Sequence, residues 1–102
     1  MKAKDVKAKF RQTKEWKEFR QKMRDKQNGL DYITGKKLNK FWNLHHLDMS
    51  IENYEKLEED NFISLNKQTH ETLHFLFRYY QKDPAILDRL KTVLDRMNEL
   101  NK

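Results

Sequence analysis

The sequence contains no cysteine, and this absence restricts the folds open to the chain more than any other feature. Disulfide frameworks, thiolate zinc ribbons and cysteine nucleophiles are excluded, so any metal must be held by His, Asp, Glu or Asn. Charged residues make up 37% of the 102 residues and hydrophobic residues 36%, so the core must be small. Two Trp, four Tyr and six Phe still supply enough large anchors to predict one folded domain rather than a disordered chain.

The net charge of +6 is concentrated at the N-terminal end of the chain. Residues 1–27 contain 11 basic and 4 acidic side chains, a net of +7, and residues 28–102 therefore sum to −1. A basic arm on a near-neutral body is typical of a protein that binds a polyanion, most commonly nucleic acid. The alternative is a lysine-rich solubilising tail. Because no apolar run suits a membrane span or a secretory signal, we expect a cytoplasmic protein without a membrane partner.

Hydrophobic periodicity predicts an α+β fold that is mostly helical. An apolar stripe follows Thr13, a candidate N-cap, and is stopped by Asn28-Gly29. Strands are predicted at 30–33, 41–48 and 61–65, and helices at 67–81 and 84–100. The helix at 67–81 is apolar nearly all round, so we expect it to be the buried centre of the fold. The expected core residues of the second half are Trp42, Phe62, Leu73 and Phe77.

The four histidines fall into two pairs between residues 45 and 74. His70 and His74 are four apart on a predicted helix, so both rings project from one face and can hold one ion. His45 and His46 lie on the preceding strand, where adjacent side chains point to opposite faces unless the strand bends or ends there. A chance pair on a helix is the alternative, but the clustering of all four favours a metal site.

Read in order, the candidate site is His45-His46, fourteen residues, Asn61, eight residues, His70, three residues and His74. This pattern resembles the HNH endonuclease family, in the spacing found in colicin-type nuclease domains. Upstream, Trp16, Arg20, Arg24 and Asp25 look like the W-x3-R-x3-R-D helix that precedes the motif in small phage and restriction HNH proteins. The resemblance implies a ββα-metal core, a two-stranded antiparallel hairpin and one helix, flanked by N-terminal and C-terminal helices.

The resemblance covers roughly residues 13–77. It implies a single HNH nuclease domain over residues 1–102, with a basic helical arm at 1–27, the ββα-metal motif at 41–80 and a C-terminal helix at 84–100. Many members have two C-x2-C pairs, and at those positions this chain has Asp31, Thr34, Asn66 and Thr69. The structural zinc of those relatives is therefore absent, and we expect a hydrophobic core to replace it.

The activity that the resemblance implies is metal-dependent hydrolysis of DNA phosphodiester bonds with weak sequence specificity. His45, His70 and His74 would hold one divalent ion (Mg²⁺, Mn²⁺, Ni²⁺ or Zn²⁺), and Asp48 and Asp60, which lie near the motif, could serve as extra ligands. His46 would be the general base, since neutral imidazole accepts a proton at neutral pH, and Asn61 would orient it. The expected DNA contacts come from six basic residues: Lys4, Lys7, Lys9, Arg11, Arg20 and Arg24.

Two other functions stay open at this stage. One is a non-catalytic DNA-binding or packaging and assembly module that keeps the ββα-metal fold, and the other is a nuclease that cuts RNA. The resemblance to small phage proteins also leads us to expect a phage product that acts in the host cytoplasm, as a homodimer or in a larger phage complex.

Overall fold

The computed structural model describes residues 8–48, 50, 52 and 55–102. The fold is α+β and mostly helical, as predicted. Its elements are, in chain order, α1 (Lys14–Lys26), β1 (Asn43–His46), a 3-10 turn (Glu59–Asn61), β2 (Phe62–Leu65), α2 (Lys67–Lys82) and α3 (Ala85–Leu100). The chain divides into two compact units, one ending at His70 and the other running from Glu71 to Lys102, so the division falls within α2.

Helix α1 has the two ends that its sequence predicts. The hydroxyl of Thr13 accepts a hydrogen bond from the backbone N–H of Trp16 at 3.2 Å, which caps the first turn. After the helix, Asn28 and Gly29 adopt φ angles of 57° and 70°, a left-handed backbone that terminates it. The buried face of α1 consists of Trp16, Phe19 and Met23.

Strands β1 and β2 form a two-stranded antiparallel sheet in which His45 lies opposite Ile63 and His46 opposite Phe62. The strands predicted at 41–48 and 61–65 are therefore confirmed, with the first one shorter than expected. The strand predicted at 30–33 is wrong, because Leu30 makes only an isolated bridge to Lys37 and residues 32–34 form a turn.

The buried carboxylate of Asp31 explains that turn. It also connects the positions at which the family has cysteine pairs, which here are Asp31, Thr34, Asn66 and Thr69. Oδ1 of Asp31 accepts hydrogen bonds from the backbone N–H groups of Ile33 and Thr34, and Oδ2 accepts one from Asn66, all between 2.8 and 2.9 Å. The hydroxyl of Thr69 donates a further one. Burial raises the pKa of Asp31, but the hydrogen bonds together outweigh it, so the pKa lies below its usual value. At these four positions hydrogen bonds to a buried carboxylate connect the chain, in place of the hydrophobic core that was expected there.

Two side-chain amides tie the loops to the hairpin. Gln27 pairs with β2 as a strand would, since its Oε1 accepts from the N–H of Ser64 at 2.8 Å and its Nε2 donates to the carbonyl of Ser64 at 3.1 Å. Asn66 accepts from the N–H of Asn39 at 2.8 Å and donates to the carbonyl of Lys37 at 3.1 Å. The segment before β1 is therefore held by hydrogen bonds that no hydrophobic pattern reveals.

The core of the first unit is aromatic and includes contacts between α1 and β2. Its buried members are Phe10, Trp16, Phe19, Met23, Leu38, Trp42, Leu44 and Phe62. The rings of Phe19 and Phe62 meet edge to face at 4.9 Å, a favourable aromatic geometry. Trp42 and Phe62 are thus core residues, as predicted.

The second unit differs from the sequence expectation. No residue of α2 or α3, helices that the structure describes in full, is buried, so the prediction that α2 is the buried centre is wrong. Leu73 is only half-buried, and Phe75 and Phe77 are 59% and 43% exposed. The physical reason is that an apolar helix is buried only where other elements surround it, and α2 and α3 do not pack extensively against each other. Among the described residues, no helix is long and apolar enough to cross a membrane.

Candidate metal centre

Three of the four histidines meet at β1 and the first two turns of α2. One ring nitrogen from each of His45, His70 and His74 lies within 4.8 Å of the others, close enough to hold one metal ion. Nδ1 of His45 and Nε2 of His70 are 3.1 Å apart, and the two rings meet edge to face at 4.9 Å. The prediction that these three residues converge is confirmed.

Local geometry explains the convergence. His70 and His74 are one helical turn apart on α2, so their side chains project from the same face. His45 reaches them because alternation along β1 turns it away from the side occupied by Leu44 and His46. His45 is buried, while the other two rings are partly exposed. The cluster is therefore open to solvent on the helix side.

The donor set suits a transition metal. In a tetrahedral site with Zn–N bonds of about 2.0–2.1 Å, neighbouring ligand nitrogens lie about 3.3–3.4 Å apart. The spacing between His45 and His70 is already near this value. Imidazole ligands favour Zn²⁺, Ni²⁺ or other first-row ions, whereas Mg²⁺ prefers oxygen ligands. Three imidazoles also leave a coordination position for a substrate oxygen.

His46 lies elsewhere. Its ring is 6% exposed and stacks on Trp16, with ring centroids 5.4 Å apart and planes only 10° apart, and it meets the edge of Phe62 at 4.5 Å. The structure therefore does not bring His46 into the cluster of three histidines. Adjacent side chains on a strand point to opposite faces, which explains why His46 lies apart from His45. Because β1 ends at His46, however, the two neighbours can still serve one site.

Asn61 fixes the chain directly after His46. Its side-chain Oδ1 accepts a hydrogen bond from the N–H of Asp48 at 2.7 Å, and its carbonyl accepts one from the N–H of Leu47 at 2.9 Å. These contacts join the two ends of the loop between the strands. Asp48 and Asp60, the expected extra ligands, do not belong to the cluster of three histidines within the described ranges. They line a separate cavity of about 340 Å³.

The six expected DNA contacts fall into three groups. Lys4 and Lys7 lie outside the described residues, and Lys9 and Arg11 are exposed. Arg20 and Arg24 are half-buried on α1.

Arg20 has a structural role that the sequence pattern did not reveal. Its guanidinium lies 3.8 Å from the centroid of the Trp42 ring and donates to the Trp42 carbonyl at 2.6 Å. Burial, and next the nearby charge of Arg24, lower the pKa of Arg20. Nε of Arg24 is buried and finds no acceptor in the part of the chain that the structure describes. The two guanidiniums therefore form a site of concentrated positive charge.

Comparison with family models, with curated proteins and with solved structures finds no match for this chain.

Proposed function

We propose that this protein is a divalent-metal-dependent endonuclease of the HNH type that hydrolyses DNA phosphodiester bonds. The observation that carries the proposal is the convergence of His45, His70 and His74 from a hairpin and the helix that follows it. The order of these elements along the chain is that of a ββα-metal motif. The spacing of the histidines to Asn61 supports the same conclusion.

The chemistry is divided between the metal site and His46. His45, His70 and His74 would hold a divalent ion, which would supply positive charge for the hydrolysis of a phosphodiester. His46, at the end of β1, would accept a proton from the attacking water as the new bond to phosphorus forms and the bond from phosphorus to the 3′ oxygen breaks, and the departing 3′ oxygen would take a proton from solvent. The products carry 5′-phosphate and 3′-hydroxyl ends. Asn61 holds the loop after His46, so that the end of β1 keeps its place.

The charge distribution supports a nucleic acid as the substrate. Residues 1–27 have a net charge of +7, and Arg20 and Arg24 concentrate positive charge on α1. Phosphate contacts of this kind give affinity without sequence information, so we expect weak sequence specificity. DNA is the proposed substrate, and an RNA of the same sequence is the comparison that tests this choice.

One observation favours a second candidate function. His46 is 6% exposed and packs on Trp16 and Phe62, as a core residue would. A non-catalytic module for DNA binding or packaging, which keeps the metal and lacks a working base, is consistent with that burial. The nuclease should cleave DNA with at least one divalent metal, whereas the non-catalytic module should cleave it with none.

The test is cleavage of supercoiled plasmid with Ni²⁺, Mn²⁺, Zn²⁺ or Mg²⁺, with and without EDTA, alongside calorimetric metal titration. We expect cleavage that EDTA abolishes. His70→Ala should lower metal affinity and cleavage together, because it removes a ligand. His46→Ala should keep metal affinity and reduce the rate by about 10²- to 10⁴-fold, because it removes only the base. Glu71→Ala, an exposed neighbour on α2, is the matched control and should behave as wild type.

Two outcomes would count against the nuclease. A wild-type protein that binds metal and DNA but cuts with none of the four ions is the non-catalytic module. The proposal would also lose its basis if the wild-type protein bound no transition metal. The same holds if His70→Ala kept wild-type metal affinity.

A further inference from the structure

Trp16 and His46 form the one near-parallel aromatic contact that Trp16 makes within the described core. Their planes differ by 10°, whereas the planes of Trp16 with Phe10 and with Phe62 differ by 51° and 56°. Offset-stacked and edge-to-face pairs are both favourable in a core, but only a stacked pair aligns the planes of its two rings. A flat indole against a flat imidazole constrains the plane of the smaller ring.

Two further contacts fix this arrangement. The ring of Phe62, on the neighbouring strand, meets His46 at 4.5 Å and 60°, so the imidazole is held from a second direction. Trp16 is itself held, because its backbone N–H donates to the N-cap hydroxyl of Thr13 and its ring packs against Phe10. The exposed fractions of Trp16 and His46 are only 5% and 6%. The plane of the His46 ring is thus determined by the start of α1.

We propose that Trp16 is a positioning residue for His46: its indole sets the plane of the imidazole. This inference rests on the proposed nuclease function. A reacting group must be held within about 10–20° of its productive orientation. A displacement of about 1 Å can reduce a rate by about 10²-fold. Trp16 therefore acts on the rate through His46 without touching the substrate.

The chain offers a matched control for the core role of Trp16. Phe19 also lies on α1, is 8% exposed and contacts Phe62 at 4.9 Å. Both Trp16→Leu and Phe19→Leu remove an aromatic ring from the same core cluster. Only the first removes the ring that stacks on His46. Trp16→Phe keeps a flat aromatic face and is the conservative variant.

The experiment measures kcat and KM of plasmid cleavage at saturating Ni²⁺, the Ni²⁺ affinity, and the urea midpoint of each variant. We expect Trp16→Leu to lower kcat by about 10- to 100-fold with unchanged KM and Ni²⁺ affinity. Trp16→Phe should retain kcat within about fivefold, and Phe19→Leu should retain it while losing comparable stability. In a His46→Ala background, Trp16→Leu should change the residual rate by less than twofold, because its effect passes through His46.

Several results would overturn the proposal. Equal kcat losses in Trp16→Leu and Phe19→Leu, or a Trp16→Leu effect that persists in the His46→Ala background, would make Trp16 a core residue only. If Trp16→Leu does not fold, Trp16→Met takes its place in the same cycle with the same expected result. A wild-type protein that cuts, with Trp16→Leu cutting equally fast, removes the positioning role alone. A wild-type protein that never cuts removes the nuclease function as well.

Discussion

Among single residues, Asp31 is a buried carboxylate that accepts several backbone hydrogen bonds. Its carboxylate is 2% exposed and accepts hydrogen bonds from the turn at 33–34 and from the start of α2. An ionised group in such a place is stable only because its oxygens are satisfied, and hydrogen bonds to a charged group are stronger than those between neutral groups. The carboxylate therefore connects two segments more than thirty residues apart in the chain.

Asp31→Asn keeps the shape of the side chain but replaces one acceptor oxygen by a donor. We expect it to lower the free energy of unfolding by about 2–3 kcal/mol at pH 7, because at least one buried N–H loses its acceptor. Urea unfolding measures the change. Asp25→Asn, at an exposed position on α1, is the control and should stay within about 0.5 kcal/mol of wild type. Equal stability of the two variants would mean that the Asp31 network does not hold the fold.

The lowered pKa of Asp31 also predicts how stability depends on pH. A carboxyl whose pKa is lower in the folded state stabilises the fold above its unfolded pKa of about 3.9. That contribution disappears as the pH falls from there through the lower folded pKa. Thermal unfolding from pH 7 to pH 2 should therefore show wild type and Asp31→Asn converging at the acid end. A difference that is constant with pH would contradict this origin.

At the scale of elements, local signals in the sequence predict what local interactions determine. The limits of α1 follow from Thr13 and Asn28-Gly29, and the hairpin follows from β-forming residues around His45 and Phe62. The exposure of α2 could not be predicted in the same way, because the burial of a helix depends on which other elements cover it. The strand predicted at 30–33 does not form, because the side chain of Asp31 accepts hydrogen bonds from the backbone of the same segment and favours a turn.

The candidate site shows the same division. Spacing alone predicts that His70 and His74 share a face, and the hairpin brings His45 to them. The stacking of Trp16 on His46 was not predicted, because it depends on the position of α1 relative to β1. One signal was present: Leu44 is two residues before His46, and a hydrophobic residue at that spacing indicates that both face the core.

Gln27 provides a test at this scale, because its amide takes the place of a neighbouring strand beside β2. Gln27→Ala removes the acceptor of the Ser64 N–H and the donor to the Ser64 carbonyl. We expect a loss of about 1–3 kcal/mol in unfolding free energy, since Ser64 is fully buried. Hydrogen exchange at the Ser64 amide should also become faster. Gln21→Ala, whose hydrogen bond to Asp25 is exposed, should change neither quantity.

At the scale of the whole molecule, the positive charge lies at one end of the chain and the core begins close to it. Phe10 is 8% exposed and packs against Trp16. The basic segment therefore continues directly into the residues that hold the ring of His46. Removal of the first dozen residues would damage the core together with any phosphate contacts, so the test of the arm must stop before Phe10.

Removal of residues 1–7 deletes Lys2, Lys4 and Lys7 and leaves Phe10 in place. If each lysine contacts one phosphate, the slope of log K against log salt should become shallower by about 0.9 per contact, about 2.7 in all. DNA binding measured at several salt concentrations gives the slope. Because residues 1–7 also contain Asp5, the truncation lowers the net charge by two, and replacement of Lys82 and Lys102 by Gln makes the same change elsewhere and should leave the slope unchanged. An equal slope in the truncated protein would identify the arm as a solubilising tail.

The carboxylate network at Asp31 also determines which conditions the protein tolerates. A fold that is closed by thiolates and zinc depends on a reducing environment and on a supply of that metal. Here hydrogen bonds join the same positions, and the chain has no thiol to oxidise. Under the proposed function, loss of an ion from the three histidines should therefore inactivate the protein without unfolding it. Depletion of metal in a cell would produce a dormant, intact pool that is ready to be reloaded.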